Sequence, residues 1–196
     1  FGTDGSIRET HTEPSQDIKI QPDGKFIVVG IPSNGQFRTS RYYADGTLDF
    51  HRSYNPRSNG YDYATGIYVR DDGDFFVAGK GTGFDAFSVI RANYSGVEEA
   101  ETSVDFPLKV EWVNSLLELP DGKFLLIGSH GSGSSEDIAL TRHHQDGTLD
   151  TTFATDGKLS LGVLNADDEG YRATLQPDGK ILVTGSSYNG VNWDIN

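Results

Sequence analysis

The stretch Gln21-Pro22-Asp23-Gly24-Lys25-Phe26-Ile27-Val28-Val29-Gly30 is a polar turn followed by a short apolar run that stops at a glycine. The same pattern recurs three times, with its turn aspartate at Asp72, Asp121 and Asp178. The spacings are 49 (23 to 72), 49 (72 to 121) and 57 (121 to 178) residues. Four copies at a regular period predict a repeat protein in which each repeat is one supersecondary unit.

Two further landmarks recur with the same spacing. Arg41–Asp49 reads Arg-Tyr-Tyr-Ala-Asp-Gly-Thr-Leu-Asp, and Arg142–Asp150 reads Arg-His-His-Gln-Asp-Gly-Thr-Leu-Asp, with a decayed copy that begins at Arg91. The third landmark, residues 1–5 (Phe-Gly-Thr-Asp-Gly), is echoed by residues 153–157 (Phe-Ala-Thr-Asp-Gly). The landmarks predict a single repeat domain with approximate units 1–50, 51–100, 101–150 and 151–196, the last one incomplete.

The turn residues predict strands rather than helices. In Pro-Asp-Gly the proline fixes φ at the first turn position and the glycine accepts a positive φ, which is typical of hairpins. Asp-Gly occurs eight times, and no apolar pattern with helical spacing is sustained anywhere. The chain is therefore predicted to be all-β, and the strands of the last unit are expected at 158–163, 171–176, 180–185 and near Asn192.

The strand after each hairpin turn decides between β architectures. Phe26–Val29 and Phe124–Ile127 are apolar on both faces, so neither face is expected to meet water. Small four-stranded sheets that stack face to face around an axis cover such strands, and this arrangement is a β-propeller. Four units fit either a closed four-bladed ring or an arc of a larger propeller.

Composition excludes several classes of function. The formal net charge of −13 argues against a nucleic-acid partner, because a phosphate-binding surface needs clustered Lys and Arg. Cysteine is absent, which removes disulfides, thiolate metal sites and cysteine nucleophiles. No apolar run approaches the roughly 20 residues that a membrane-spanning helix needs, so membrane insertion is not expected. Because Met and a signal peptide are both absent, the chain is expected to begin inside a longer gene product.

The combined landmarks resemble the bacterial delta-60 repeat. The resemblance rests on Gln-Pro-Asp-Gly-Lys, the apolar run with its glycine, the Arg with Asp-Gly-Thr-Leu-Asp, and Phe-Gly-x-Asp-Gly. It covers nearly the whole chain, but the second unit departs from it with Asp74 in place of Lys and Ser95-Gly96 in place of Asp-Gly. The resemblance implies a β-propeller from a secreted or surface-attached bacterial protein. It implies no catalytic residue.

Polar residues that recur in every unit are interpreted as structural. Aspartate beside glycine is what the hairpin turn itself requires. Arg41, Arg91 and Arg142 are each expected to pair with a carboxylate or carbonyl within their own unit. His143 and His144 are strand neighbours that point to opposite faces, so they are predicted to be surface residues that do not share a metal ion.

No cofactor is predicted, although two acidic clusters are weak candidates for a calcium site. Calcium prefers several carboxylate and carbonyl oxygens on a loop, although neither cluster has the alternating ligands of a known calcium loop. The candidates are Asp71, Asp72, Asp74, Asp167, Asp168 and Glu169.

Aromatic residues that do not recur are better candidates for function, because the repeat does not demand them. Such side chains stack on sugars or dock protein partners, and they also wedge neighbouring sheets together. The candidates for partner binding are Tyr61, Tyr63, Trp112, Tyr188 and Trp193.

The first hypothesis for function is a non-catalytic extracellular or cell-surface segment that binds a protein or glycan, or that acts as a spacer. The first alternative is a glycan-active enzyme that uses Asp167 or Glu169 with Tyr61. This alternative requires two carboxylates that converge in a pocket. The second alternative is a structural subunit that self-associates through exposed strand edges.

Overall fold

The computed structural model describes residues 6, 14–30, 35–56, 62–81, 86–106, 110–131, 136–163 and 167–195. These residues form antiparallel strands and no helix, so no helix within them is long and apolar enough to cross a membrane. The strands are β1 Ser15–Ile20, β2 Phe26–Gly30, β3 Phe37–Tyr42, β4 Leu48–Tyr54, β5 Tyr63–Val69, β6 Phe75–Gly81, β7 Ala86–Ala92, β8 Glu98–Val104, β9 Val110–Glu118, β10 Phe124–Gly131, β11 Glu136–His143, β12 Lys158–Leu161, β13 Asp168–Leu175, β14 Ile181–Tyr188 and β15 Trp193–Ile195.

The strands form four separate sheets in chain order. Sheet 1 contains β1–β4, sheet 2 contains β5–β8, sheet 3 contains β9–β12, and sheet 4 contains β13–β15. The first strands of successive sheets (β1, β5, β9 and β13) lie against one another, so they are the inner strands of the stack. An ion pair between Lys19 on β1 and Glu118 on β9 (2.6 Å) joins sheets 1 and 3 along this inner side. The all-β prediction and the four stacked sheets are thus confirmed, and the described strands do not close into a ring.

The Asp-Gly residues of the hairpin turn have the conformation that the sequence predicts. Oδ1 of Asp23 accepts a hydrogen bond from the backbone N–H of Lys25 (3.1 Å), and Gly24 has φ 85°. A side chain at that φ would be strained, so glycine is required. The turn aspartates of the other three sheets accept the same backbone hydrogen bond two residues on.

The strand after each turn is the centre of the core. Ile27 and Val29 of β2 pack with Ile67 of sheet 2, and Phe76 of β6 packs with Phe124 of sheet 3. All five side chains are completely buried. The expectation that this strand has two covered faces is therefore confirmed for the inner sheets.

One strand lies in a different sheet from the one predicted. Residues 158–161 were expected to open the last unit, but β12 pairs with β11 and completes sheet 3, which leaves sheet 4 with three described strands. The cause is the connection after β11. Backbone hydrogen bonds from Asp150 N to Arg142 O (2.8 Å) and from Arg142 N to Gly157 O (3.1 Å) turn the chain back alongside β11.

His143 is also placed differently from the prediction. Its ring is fully buried and stacks on Phe124, with centroids 5.1 Å apart. Nδ1 lies 3.1 Å from the carbonyl oxygen of Gly147 and Nε2 lies 2.9 Å from Oγ1 of Thr141, so both ring nitrogens have polar neighbours. The prediction that His143 is a surface residue is wrong, because sheet 3 uses this ring as a core aromatic.

Candidate functional site

The recurrent arginines serve their own sheets, as predicted. Nη2 of Arg41 lies 2.8 Å from Asp49, and Nη2 of Arg91 lies 3.3 Å from Asp74. Arg41 also donates a hydrogen bond to the backbone carbonyl of Tyr94, so it ties sheet 1 to sheet 2. These guanidinium groups therefore contribute to holding the sheets together.

Sheet 3 contains the most enclosed of these ion-pair networks among the described residues. Asp150 is fully buried, and its Oδ2 accepts hydrogen bonds from Lys123 Nζ (2.8 Å) and Arg142 Nε (2.7 Å). Its Oδ1 accepts hydrogen bonds from the backbone N–H and the hydroxyl of Thr152. The Lys123 hydrogen bond, followed by those from Thr152, holds the pKa of Asp150 well below its usual range. A shallow depression beside this network is lined by Asp121, Lys123, His144, Gln145 and Asp146.

Replacing Asp150 by asparagine is expected to lower the free energy of unfolding by about 2 kcal/mol, the usual contribution of hydrogen bonds to a charged group, because Lys123 and Arg142 lose the charge that they share. The side-chain oxygen of asparagine can still accept the hydrogen bonds from Thr152. The loss of stability therefore reports on the ion pairs with Lys123 and Arg142. The measurement is chemical unfolding at neutral pH.

The matched control is Asp178→Asn. Asp178 pairs with Lys180 (2.7 Å), but both side chains are more than half exposed. Exposed pairs contribute little to stability, so this variant is expected to unfold as the parent does. Equal losses in Asp150→Asn and Asp178→Asn would contradict the account.

The calcium candidates do not converge. Asp74 forms an ion pair with Arg91 and accepts a hydrogen bond from the backbone N–H of Tyr94. Glu169 accepts a hydrogen bond from the hydroxyl of Tyr171 (2.6 Å). Oδ2 of the buried Asp168 accepts a hydrogen bond from the N–H of Val163, and Asp167 accepts one from the N–H of Glu136. Among the described residues, no three acidic or histidine side chains are grouped so that they could hold a metal ion. The remaining candidates, Asp71 and Asp72, lie in the β5–β6 hairpin turn.

Two of the predicted aromatic residues meet at the start of the inner strands. Tyr63 begins β5, and Trp112 lies near the start of β9. Their rings contact edge to face, with centroids 5.6 Å apart and an interplanar angle of 67°. Nζ of Lys80 lies 5.3 Å from the Trp112 ring, within the range of a cation–π contact. We call Tyr63, Lys80 and Trp112 the aromatic corner.

Trp112 keeps a large exposed surface although it has neighbours on two sides. Its side chain is 45% exposed, whereas Lys80 is buried. An indole that is held by fixed neighbours and still open to solvent loses little conformational freedom when a ligand binds. The aromatic corner therefore presents a flat, apolar surface that is partly open to solvent.

The glycine that ends each apolar run fixes the backbone of this corner. Each inner strand has an irregular register opposite that glycine, as between Ala64 and Gly66 of β5. A Cβ atom added at Gly79 would lie well inside 3.0 Å of the carbonyl oxygen of Tyr63, and one at Gly128 would meet the carbonyl oxygen of Trp112 in the same way. The recurrent glycines are thus needed for close approach of the inner strand, and the sequence analysis did not identify this role.

The second aromatic pair lies in sheet 4. Tyr188 ends β14 and Trp193 begins β15, and their ring centroids are 5.6 Å apart. The Trp193 side chain is 50% exposed. The remaining candidate for binding, Tyr61, lies outside the described residues. The structure therefore brings four of the five predicted aromatic residues together in two separate pairs.

Comparison with known proteins supports the fold. The family model for a domain of unknown function, DUF5122, described as a β-propeller, matches residues 21–49, 119–153 and 176–195. It leaves out residues 50–118, which contain the second unit with its altered turn residues. The match supports the β-propeller part of the resemblance, while the delta-60 assignment itself stays a prediction. No curated protein matches the chain in sequence.

Solved structures show the same fold at low sequence identity. A protein of unknown function from Bacteroides caccae aligns with TM-score 0.56 and 11% identity over 89% of this chain and 54% of its own. Kuenenia stuttgartiensis hydrazine synthase aligns with TM-score 0.56 and 15% identity over 87% of this chain and 51% of its own. An exo-β-1,3-galactanase from Phanerochaete chrysosporium, solved with β-1,3-galactotriose, aligns with TM-score 0.54 and 10% identity over 91% of this chain and 43% of its own.

The chain thus spans about half the length of these proteins or less, and at such identities the likeness shows the fold alone. Sheet order, buried strands and the family-model match agree on that fold. The chain is an all-β protein with a β-propeller fold.

Proposed function

We propose that the chain is a non-catalytic binding segment of a larger extracellular or surface-attached protein, and that the aromatic corner receives a sugar ring of a glycan. The observation that carries the proposal is the half-exposed indole of Trp112, held by Tyr63 and Lys80. The repeat does not require this indole, because the corresponding position in sheet 4 (112 + 57) is Glu169.

The chemistry of the corner suits a sugar better than a charged partner. One face of a pyranose ring is lined by C–H groups, which stack on an indole, while the hydroxyl groups at the ring edge accept and donate hydrogen bonds. Trp112 provides the flat surface and Tyr63 provides a phenol hydroxyl at its side. The recurrent arginines and aspartates are paired within the sheets, which leaves aromatic stacking as the main interaction that the corner offers.

The glycan-active alternative gains no specific support from the carboxylates that it would use. Asp167 accepts a hydrogen bond from the N–H of Glu136, and Glu169 accepts one from Tyr171, while Tyr61 lies outside the described residues. A glycosidase also needs one carboxyl group with a raised pKa. Burial raises the pKa of Glu98, but that residue begins β8, the outermost strand of sheet 2, and not an inner strand.

Replacing Trp112 by alanine is expected to weaken glycan binding at least about tenfold, the usual size of the loss when an aromatic hot spot is truncated. The chain has only two tryptophans, so Trp193→Phe leaves Trp112 as the single fluorescent reporter. β-1,3-Galactotriose, the ligand of the galactanase named above, is the first probe, followed by an array of neutral and acidic glycans.

The control variant is Trp193→Ala, which removes the other exposed indole and is expected to leave glycan affinity unchanged. The proposal fails if no glycan changes the Trp112 fluorescence, or if Trp112→Ala retains the parent's glycan array profile. Release of reducing sugar during the titration would favour the enzyme alternative instead.

A further inference from the structure

Three polar side chains of sheet 3 are joined by hydrogen bonds beside sheet 2. His130 lies near the end of β10, Asp137 lies opposite it on β11, and Ser160 lies on β12. Oγ of Ser160 is 2.8 Å from Nε2 of His130 and 3.1 Å from Oδ2 of Asp137. His130 is buried, Asp137 is half-buried and Ser160 is exposed, so the group extends from the interior to solvent. We call these three residues the polar cluster.

The repeat does not require the polar cluster. His130 and Asp137 are directly opposite each other in the register of sheet 3. The corresponding opposed pairs are Gly81 with Ala86 in sheet 2 and Ser187 with Asp194 in sheet 4. The histidine is therefore specific to sheet 3 among these sheets, and like Trp112 it stands where the units differ.

The positions of the protons follow from what each group of the cluster can donate. The carboxylate of Asp137 only accepts hydrogen bonds, so the hydroxyl of Ser160 donates its proton to Asp137. Nε2 of His130 then donates to Oγ of Ser160. Burial lowers the pKa of His130 below its ordinary value of 6.5, so the ring is neutral at pH 7 and Nδ1 carries no proton. Nδ1 has no hydrogen-bond partner among the described residues, so the one N–H of the ring is used to orient Ser160.

The polar cluster offers hydrogen-bond acceptors to solvent. A serine hydroxyl has two lone pairs, of which only one is used within the cluster, and the carboxylate of Asp137 can accept more than the bond from Ser160. Lys158, on the same strand as Ser160, donates to the backbone carbonyl of Asp105 (3.1 Å). Acceptors beside a negative charge repel carboxylate, phosphate and sulfate groups, but they bind hydroxyl groups that donate. The ligand class that matches the cluster is a neutral sugar.

Contacts between aromatic rings connect the polar cluster to the aromatic corner. His130 stacks on Phe106 with ring centroids 4.6 Å apart, and Phe106 meets Phe87 edge to face at 5.3 Å. Phe87 lies directly opposite Lys80 of the aromatic corner. The two groups of residues therefore lie along the same boundary between sheets 2 and 3.

We propose that the polar cluster is a second sugar subsite for the glycan that stacks on Trp112, so that the chain selects neutral oligosaccharides over single sugars. Trp112 and Ser160 lie on the first and fourth strands of sheet 3, three strand spacings or about 14 Å apart. A sugar residue in an oligosaccharide is about as long as one strand spacing, so about three residues cover this distance. Ser160 and Asp137 accept hydrogen bonds from the distal sugar, and His130 positions Ser160. The inference rests on the proposed function, because Trp112 provides the first subsite.

The test compares a single sugar with a trisaccharide in the Trp193→Phe background, where Trp112 is the fluorescent reporter. The parent is expected to bind β-1,3-galactotriose more tightly than galactose. Ser160→Ala is expected to weaken galactotriose binding about fivefold, the usual net contribution of one hydrogen bond, and to leave galactose binding unchanged. Ser160→Thr keeps the hydroxyl and is expected to bind both sugars as the parent does. If the glycan array identifies a different ligand, that oligosaccharide and its terminal sugar replace this pair.

The matched control is Ser103→Ala. Ser103 has the position of Ser160 in sheet 2, where its hydroxyl lies 3.2 Å from that of Ser88, and it is expected to bind both sugars as the parent does. Asp137→Asn is a second variant that leaves Ser160 in place. It is expected to weaken galactotriose binding and to leave galactose binding unchanged.

The outcomes separate this inference from the proposed function. Unchanged galactotriose binding in both Ser160→Ala and Asp137→Asn overturns the inference, while the proposed function stands if Trp112→Ala loses binding. Equal weakening for galactose and galactotriose also overturns it, because a second subsite contacts only the longer ligand. A parent that binds galactose as tightly as galactotriose has no second subsite. If no glycan changes the Trp112 fluorescence, the inference and the proposed function both fail.

Discussion

Replacing Gly128 by alanine is expected to lower the free energy of unfolding by about 3 kcal/mol, at the upper end of the usual cost of overpacking. The added Cβ would lie well inside 3.0 Å of the carbonyl oxygen of Trp112, so one of the two strands has to move. Alanine is otherwise favoured over glycine in a strand, because it loses less conformational freedom on folding. A large loss of stability would therefore come from the steric clash between the added Cβ atom and the carbonyl oxygen of Trp112. The measurement is urea unfolding followed by circular dichroism.

Gly30→Ala is the matched control for this variant. Gly30 ends the same apolar run in sheet 1, but a Cβ atom there would lie 2.9 Å from the carbonyl oxygen of Pro14, so a smaller shift relieves the contact. We expect a clearly smaller loss than for Gly128→Ala. Equal losses at the two positions, or no loss at Gly128, would contradict the role assigned to the recurrent glycine.

Lowering the pH from 7 to 4 is expected to remove about 3 kcal/mol of stability through His143, since one pKa unit corresponds to about 1.4 kcal/mol. Burial lowers the pKa of His143 from its ordinary value of 6.5 to about 4. As the pH falls below 6.5, the unfolded chain takes up a proton at this ring before the folded chain does. The unfolded state is then favoured, and the contribution of His143 is lost progressively down to about pH 4.

His143→Phe is expected to flatten this pH dependence. Sheet 1 has Tyr42 at the corresponding position, stacked on Phe26 with centroids 5.1 Å apart, so the repeat accepts a non-titrating ring there. The free energy of unfolding is measured between pH 7 and pH 4 for the parent, for His143→Phe and for the partly exposed neighbour variant His144→Gln. If the parent and His143→Phe lose equal stability over this range, His143 is not the titrating group.

The sequence was sufficient to predict an all-β protein built from stacked four-stranded sheets. The recurrent Pro-Asp-Gly turn predicts a hairpin, which is present in sheets 1 and 3, and the doubly apolar strand predicts two covered faces, which are present in sheet 3. The position of β12 could not be predicted in the same way. Which sheet receives a strand depends on the backbone hydrogen bonds of the connection at Asp150 and Arg142, and the residue pattern of the strand itself does not encode them.

The candidate site was predictable only in part. Tyr63 and Trp112 are 49 residues apart, the same interval as the turn aspartates, and this spacing is a signal that they occupy one position in adjacent sheets. The contribution of Lys80 could not be inferred, because it arises from the pairing of β5 with β6 in a locally irregular register. The burial of His143 could not be predicted from the residue type, because its neighbour His144 is also histidine and yet is partly exposed.

Recurrent residues build the fold, and we propose that binding resides where the repeats differ. The most direct test compares the glycan affinity of the folded protein for Asp150→Asn, where the acidic residue recurs, and for Trp112→Ala, where the units carry different residues. We expect Asp150→Asn to lower stability with unchanged affinity, and Trp112→Ala to lose affinity with little change in stability, because its side chain is half exposed. Loss of affinity in the folded Asp150→Asn protein, together with retained affinity in Trp112→Ala, would contradict the claim.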